Sequence, residues 1–265
     1  MNRTQIDANF LQPILAGRRI GGLLCCRDSV ESTNRVALQL LREGAAEGTV
    51  VIADTQTAGR GRLNRVWQSP PGSNLYFSVI LRPPVAPSDA SQITLLAGVA
   101  VAEAIATICA TGVGIKWPND VRIHGRKVCG ILTEMRTSGS GAGVIVGIGL
   151  NVNIRKDDFD PGHSETATSL REETGCSHSR ENLFLLLCER LEKWYGTFLH
   201  AGFAPVGEGW LLWSEMAGRH VRILFRDEVQ EGVVEGIDRD GALLISDARG
   251  EVRRITAGDA TILKG

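Results

Sequence analysis

No C-x-x-C pair occurs among the six cysteines of this 265-residue chain, which stand at 25, 26, 109, 129, 176 and 188. That scatter argues against both a zinc site and a disulfide framework. The five histidines are equally dispersed, and none is assigned a role. The start, Met1-Asn2-Arg3-Thr4-Gln5-Ile6-Asp7, lacks the apolar core of a signal peptide, so a cytoplasmic location is expected. A membrane span needs about 20 apolar residues without charge. The nearest approach, residues 91–111, is rich in small residues and carries Glu103, so a buried helix is expected instead. An excess of one charge is missing too: 29 Lys and Arg stand against 30 Asp and Glu, a net -1. No global field then draws the protein to nucleic acid or membrane, and anions must be held by local cations. Repeats, low-complexity tracts and long linkers are also lacking.

What is present is an ordinary globular composition, 43% hydrophobic, with a length suited to one large domain plus a small one. The most unusual stretch is Gly59-Arg60-Gly61-Arg62-Leu63-Asn64-Arg65-Val66-Trp67, between strand-like runs at 49–54 and 74–81. Its glycines suit positive φ and close approach to a ligand. Arginine forks suit carboxylate and phosphate, and Trp67 offers a flat cap. A solvated basic hairpin loop explains the same nine residues, and this segment alone does not choose.

In chain order, residues 1–19 suggest a short polar helix and 20–26 a first strand. Ser32, Thr33 and Asn34 precede a helix through Val36, Leu40 and Leu41. Capping is the simpler explanation for that trio, and ligand binding at a helix N-terminus the alternative. Gln56 stands at the entrance to the arginine loop. Lys116-Trp117-Pro118-Asn119-Asp120 reads as a strand–turn–strand corner. Residues 126–134 alternate like a half-buried strand beginning near Lys127, with Gly130 permitting close backbone approach. A further strand, 144–153, puts Gly147 and Gly149 on one face and is a candidate for pairing with a second copy, a homodimer. Residues 155–178 are polar and read as a loop. A helix near 180–200 carries a core stripe of Leu183, Phe184, Leu187, Leu191 and Tyr195. Beyond a boundary near Ala217-Gly218, short alternating strands at 221–225, 233–237, 243–245 and 252–255 predict a small β-barrel, with Asp240-Gly241 as a hairpin turn.

Taken together, Ser32-Thr33-Asn34, Gly59-Arg60-Gly61-Arg62 with Trp67, Lys116-Trp117-Pro118-Asn119-Asp120, Lys127 with Gly130-Ile131-Leu132, and Gly147-Ile148-Gly149-Leu150-Asn151 resemble the biotin protein ligases, which share a fold with lipoate ligases. The likeness runs from about Ser29 to the C-terminus. It implies an α+β fold: a mixed β-sheet with packed helices of the class II synthetase type over 1–217, and an SH3-like β-barrel over 218–265. Two departures stand out. The family loop usually continues with arginine and glycine where this chain has Leu63 and Asn64, which removes one charge. Some members also carry a DNA-binding module at the N-terminus. Fewer than thirty residues precede the first expected strand here, so a monofunctional enzyme without a DNA partner is expected.

The resemblance implies two half-reactions. Biotin and ATP give biotinyl-5′-adenylate and pyrophosphate, and a lysine of a biotin carboxyl carrier domain then takes the acyl group. Lys127, Arg62 and Asp120 are the implied catalytic residues. Lys127 would bridge carboxylate and α-phosphate, and Asp120 would orient or deprotonate the acceptor amine. Biotin would be held by Ser32, Thr33, Asn34, Gln56, Gly59, Arg60, Gly61, Arg62, Lys127 and Gly130. The nucleotide would meet Arg60, Arg62, Arg65, Trp67, Lys116, Asn119, Lys127 and Asn151. Mg²⁺ is expected with ATP, held mainly by phosphates. Lipoate or octanoate ligation and a non-catalytic biotin-responsive regulator are the rival readings. A Lys127 side chain across the sheet from Arg60 and Arg62 would remove the proposed pocket altogether.

Overall fold

The computed structural model describes residues 6–86, 89–138, 141–226 and 228–263. Its centre is a seven-stranded mixed sheet in the order β1-β2-β3-β7-β6-β5-β4. These strands are β1 (Leu24–Val30), β2 (Val50–Gln56), β3 (Leu75–Leu81), β4 (Val113–Lys116), β5 (Asp120–Ile123), β6 (Arg126–Ser138) and β7 (Gly141–Leu150). Only β1 with β2 is parallel; the other neighbours in this sheet run antiparallel.

The two faces are covered differently. Val144, Val146, Ile148 and Leu150 of β7 point into the main core with Phe77, Val79 and Ile131. That core is closed by α1 (Ala8–Leu15), α3 (Ala90–Ala106), α5 (Arg180–Ala201) and α6 (Ala204–Trp213). On the other face α2 (Thr33–Arg42) forms a small second cluster with Val51, Ile80 and Ile145. The helix covers only part of that face. Beyond its N-terminus the strands carry Ser78, Gly147, Gly149 and Gly130, and this is where space for a ligand lies.

A second, five-stranded antiparallel sheet follows in the order β11-β10-β9-β8-β12. Its strands are β8 (His220–Phe225), β9 (Glu228–Ile237), β10 (Leu243–Ser246), β11 (Val252–Ile255) and β12 (Asp259–Ile262). This sheet fits the expected SH3-like module. Asp240-Gly241 does turn β9 into β10, with Gly241 at φ 83°. Its inner residues Val221, Ile223, Val234 and Leu243 join the main core. Trp117 Nε1 donates to Gly241 O at 3.3 Å, so the corner after β4 is tied to that sheet.

Four expectations need correction. The first strand starts at Leu24 rather than Ile20. Gly21 takes φ 87°, and a Cβ on Gly22 would stand 2.4 Å from Arg18 O, so residues 20–23 form a turn. The loop 155–178 contains a short helix, α4 (Leu170–Thr174), capped by Ser169 Oγ accepting from Glu172 N. Five residues are too few for helical periodicity to show. The last strand, β12, was not anticipated. Finally, the strand near 143–153 is not an edge strand along Val144–Leu150: that stretch of β7 is hydrogen-bonded to β3 on one side and β6 on the other.

Candidate active site

A cavity of about 440 Å³ opens on the α2 side of the sheet. The register explains its floor. Tyr76, Gly149, Gly130 and Asp120 form one row across β3, β7, β6 and β5, and Ser78, Gly147 and Leu132 form the next. No side chains rise from the three glycines, so other groups can lie against the backbone. A Cβ on Gly149 would stand 2.5 Å from the Trp67 ring, and one on Gly147 2.0 Å from Asn34 Oδ1. The β6–β7 ladder runs in regular register from Cys129–Leu150 to Ser138–Gly141, so a close approach of Trp67 and Asn34, not a bulge, accounts for these glycines.

Lys127 reaches this floor because β6 is irregular. Gly130 lies three positions after it, and in a regular strand that spacing places two side chains on opposite faces. The β5–β6 ladder slips between Val121 and Arg122, pairing Cys129 with Val121 but Lys127 with Arg122. Val128 is the extra residue, and the bulge turns Lys127 onto the glycine face. There its Nζ lies 2.6 Å from Asp120 Oδ1 and 5.3 Å from the Trp67 ring centroid. Lys127 is therefore on the same side of the sheet as Arg60 and Arg62, and all three line the cavity.

The arginine loop folds back on itself. Trp67 N donates to Gly59 O and Gly61 N to Arg65 O, and a tight turn over Arg62–Asn64 is closed by Arg65 N donating to Arg62 O. Positive φ falls at Leu63 (53°) and Asn64 (59°), not at the loop glycines. Gly59 is small for another reason: a Cβ there would stand 2.5 Å from Trp67 O. It supports the loop and does not line the cavity, whereas Gly61 does. Arg62 donates to Asn119 Oδ1 at 3.1 Å and to Gly258 O at 3.1 Å. Arg65 pairs with Asp259, which also lies 3.8 Å from Arg62. Burial lowers the pKa of the Arg62 guanidinium, opposed by Asp259 and Asp120. Burial likewise lowers that of Lys116, opposed first by Asp120. Two desolvated cations thus stand near carboxylates in one pocket.

The far end of the cavity is polar. Gln56 Oε1 accepts from Thr33 N at 2.9 Å, and Ser78 Oγ stands 2.6 Å from Asn34 Oδ1 and 2.8 Å from Thr33 Oγ1. Asn34 uses both amide hydrogens within the protein, on Leu132 O and Glu134 Oε2. Ser32 is the N-cap of α2, yet its side chain makes no capping bond. The capping explanation therefore fails for Ser32, which lines the cavity. Ser32, Thr33, Asn34, Gln56, Arg60, Arg62, Arg65, Trp67, Lys116, Asn119, Asp120, Lys127, Gly130 and Asn151 all border this one space. Asn119 and Asn151 are partly engaged already, donating to Ile131 O and Thr168 O respectively. Asp259, Phe159 and His163 also line it and were not anticipated. Asp259 sits on a four-residue strand at the far end of the chain, and no local pattern marks it.

Known proteins resemble this chain in sequence and in fold. The model of the Biotin/lipoate A/B protein ligase family matches residues 26–151, and that of the Biotin protein ligase C terminal domain matches 217–262. A "Biotin--[acetyl-CoA-carboxylase] ligase" of Paracoccus denitrificans is 36% identical over 222 residues, covering 81% of this chain and 90% of that one. The chain belongs to the biotin protein ligase family. A family member from Mycobacterium tuberculosis bearing the same name is 32% identical and covers 99% of this chain and 97% of its own. Among solved structures, "Biotin protein ligase from Aquifex aeolicus in complex with biotin and ATP" superposes with a TM-score of 0.79 at 31% identity, over 92% of this chain and 99% of that one. Family membership makes the protein a ligase, an enzyme with biotin protein ligase activity.

Proposed function

We propose that the cavity joins biotin to a carrier lysine through a biotinyl-5′-adenylate. One observation carries this reading: cations from three separate elements, Arg60, Arg62 and Arg65 on the loop, Lys116 on β4 and Lys127 on β6, converge on a cavity whose other end is polar. A carboxylate oxygen attacks the α-phosphorus of ATP, forming an acyl–phosphate anhydride and displacing pyrophosphate. Repulsion between the two anions is the main obstacle, and fixed cations offset it. Lys127 bridges the two reactants. Arg60 and Arg62 hold the carboxylate and the adenylate phosphate, with Arg65 at the pyrophosphate.

Ser32, Thr33 and Gln56 suit the polar ureido group, which favours biotin over lipoate or octanoate. Trp67 closes over the reacting atoms and keeps water from the anhydride. Asn119, Asn151 and Lys116 take the nucleotide side. In the second step a neutral lysine amine attacks the acyl carbon and AMP leaves. Asp120 accepts the amine's proton. The acceptor is a biotin carboxyl carrier domain, in keeping with the names of the relatives. Among the described residues no group of three or more His, Cys, Asp or Glu is placed to hold a metal ion. Mg²⁺ is assigned to ATP phosphates and water, the usual arrangement for a nucleotide-bound magnesium ion. No described helix is long and apolar enough to cross a membrane, and a cytoplasmic site of action is proposed. The test is pyrophosphate release with biotin, lipoate or octanoate as the acid. Release with biotin alone is expected; release with none of the three would defeat the assignment.

A further inference from the structure

We infer that Glu134 is a positioning residue, tethering Arg60 over the place where the acid's carboxylate arrives. The inference rests on the reading above that Arg60 faces that carboxylate. Glu134 shares a face of β6 with Gly130 and Leu132, and its side chain is only 16% exposed. Its Oε2 accepts from Asn34 Nδ2 at 2.9 Å and stands 3.9 Å from Arg60 Nη2, while Oε1 accepts from Arg136 Nη2 at 3.1 Å. Arg60 is 48% exposed at its side chain. A long, half-exposed side chain has many rotamers to lose on binding, and a fixed counter-charge removes part of that cost beforehand. The same carboxylate holds Asn34, which is bonded to Ser78 beside Thr33. Glu134 thus joins the polar end of the cavity to the loop's first arginine.

At 3.9 Å the Glu134–Arg60 pair is an ion pair without a direct hydrogen bond, so an arriving carboxylate can take the guanidinium's free donors without breaking one. Glu134 acts through Arg60 and does not meet the reactants itself.

The experiment compares Glu134→Gln with the wild type in biotin-dependent pyrophosphate release. Gln keeps an acceptor for Asn34 and loses the charge. The expected result is a KM for biotin raised about fivefold, the size of a half-exposed ion pair, with kcat and melting temperature unchanged. In an Arg60→Ala background the same change is expected to have no further effect on the KM for biotin, because the guanidinium that the charge positions is gone. Effects that simply add in the double variant, an unchanged KM, or a fall in kcat alone would each overturn the inference. A lowered KM would too, since Glu134 would then compete with the ligand for Arg60. If Glu134→Gln fails to fold, Glu134→Asp, with the carboxylate withdrawn by one methylene, carries the same comparison. A wild type that releases no pyrophosphate with biotin refutes the proposed function instead, so the two failures are distinguishable.

Discussion

Arg65 and Asp259, 194 positions apart in the chain, form an ion pair that ties the arginine loop to the C-terminal sheet. The same carboxylate neutralises Arg62, whose side chain is 25% exposed. Asp259→Ala should therefore loosen the loop while sparing the fold. A KM for ATP raised about fivefold and faster loss of adenylate are expected, in line with one partly buried ion pair. Steady-state kinetics and a filter assay of adenylate retention read this directly. Equal values in variant and wild type would mean the loop stands without the second sheet.

Lys127→Ala removes the cation at the centre of the cavity. Pyrophosphate release should fall by at least about a hundredfold, the usual loss on deleting one transition-state donor. Its melting temperature should hold, because the side chain is 32% exposed. Normal release would end the assignment of Lys127.

Asp120→Ala separates the half-reactions. Adenylate should still form, while its transfer to a carrier domain slows about a hundredfold, the range for a lost general base. Mixing preformed adenylate complex with carrier and following acyl transfer isolates that step. If both steps keep their rates, Asp120 serves only as the partner of Lys127.

Gly147→Ala tests the close packing beneath Asn34. The new Cβ would stand 2.0 Å from Asn34 Oδ1, so Asn34 must leave Ser78 and Glu134. Overpacking of this kind costs about 1–3 kcal/mol. Urea unfolding should show that loss, and calorimetry should show weaker biotin binding.

Glu173 links stability to pH. Its side chain, 5% exposed, accepts from Thr168 Oγ1 and Arg126 and meets His124 Nδ1 at 2.9 Å. Burial raises its pKa, but the hydrogen bonds from Thr168 and His124 and the charge of Arg126 outweigh burial, and the net shift is downward. A carboxylate whose folded pKa lies below the unfolded value of about 4.3 stabilises the protein above that pH. The contribution disappears as pH falls through the folded pKa. Glu173→Gln should thus be less stable than wild type at neutral pH, and the gap in unfolding free energy should narrow below pH of about 4. A constant gap across that range would show that ionisation of Glu173 is not involved.

Much of this protein was legible from local chemistry. Four of the helices and most strands follow from apolar period; α4 and α6 do not. The spacing of Gly59-Arg60-Gly61-Arg62, the Lys116 corner and Lys127 pointed to one anionic ligand. What sequence could not show is anything set by pairing between distant strands. Alternation alone would send Lys127 and Gly130 to opposite faces; a one-residue slip against β5 unites them. Nor does a four-residue strand near the C-terminus announce that Asp259 will neutralise the arginine loop. Residue types determined which chemistry is available, because charge and hydrogen-bonding capacity belong to side chains. Register and sheet order decided which of those side chains meet, because they depend on backbone hydrogen bonds between segments that are remote in the chain.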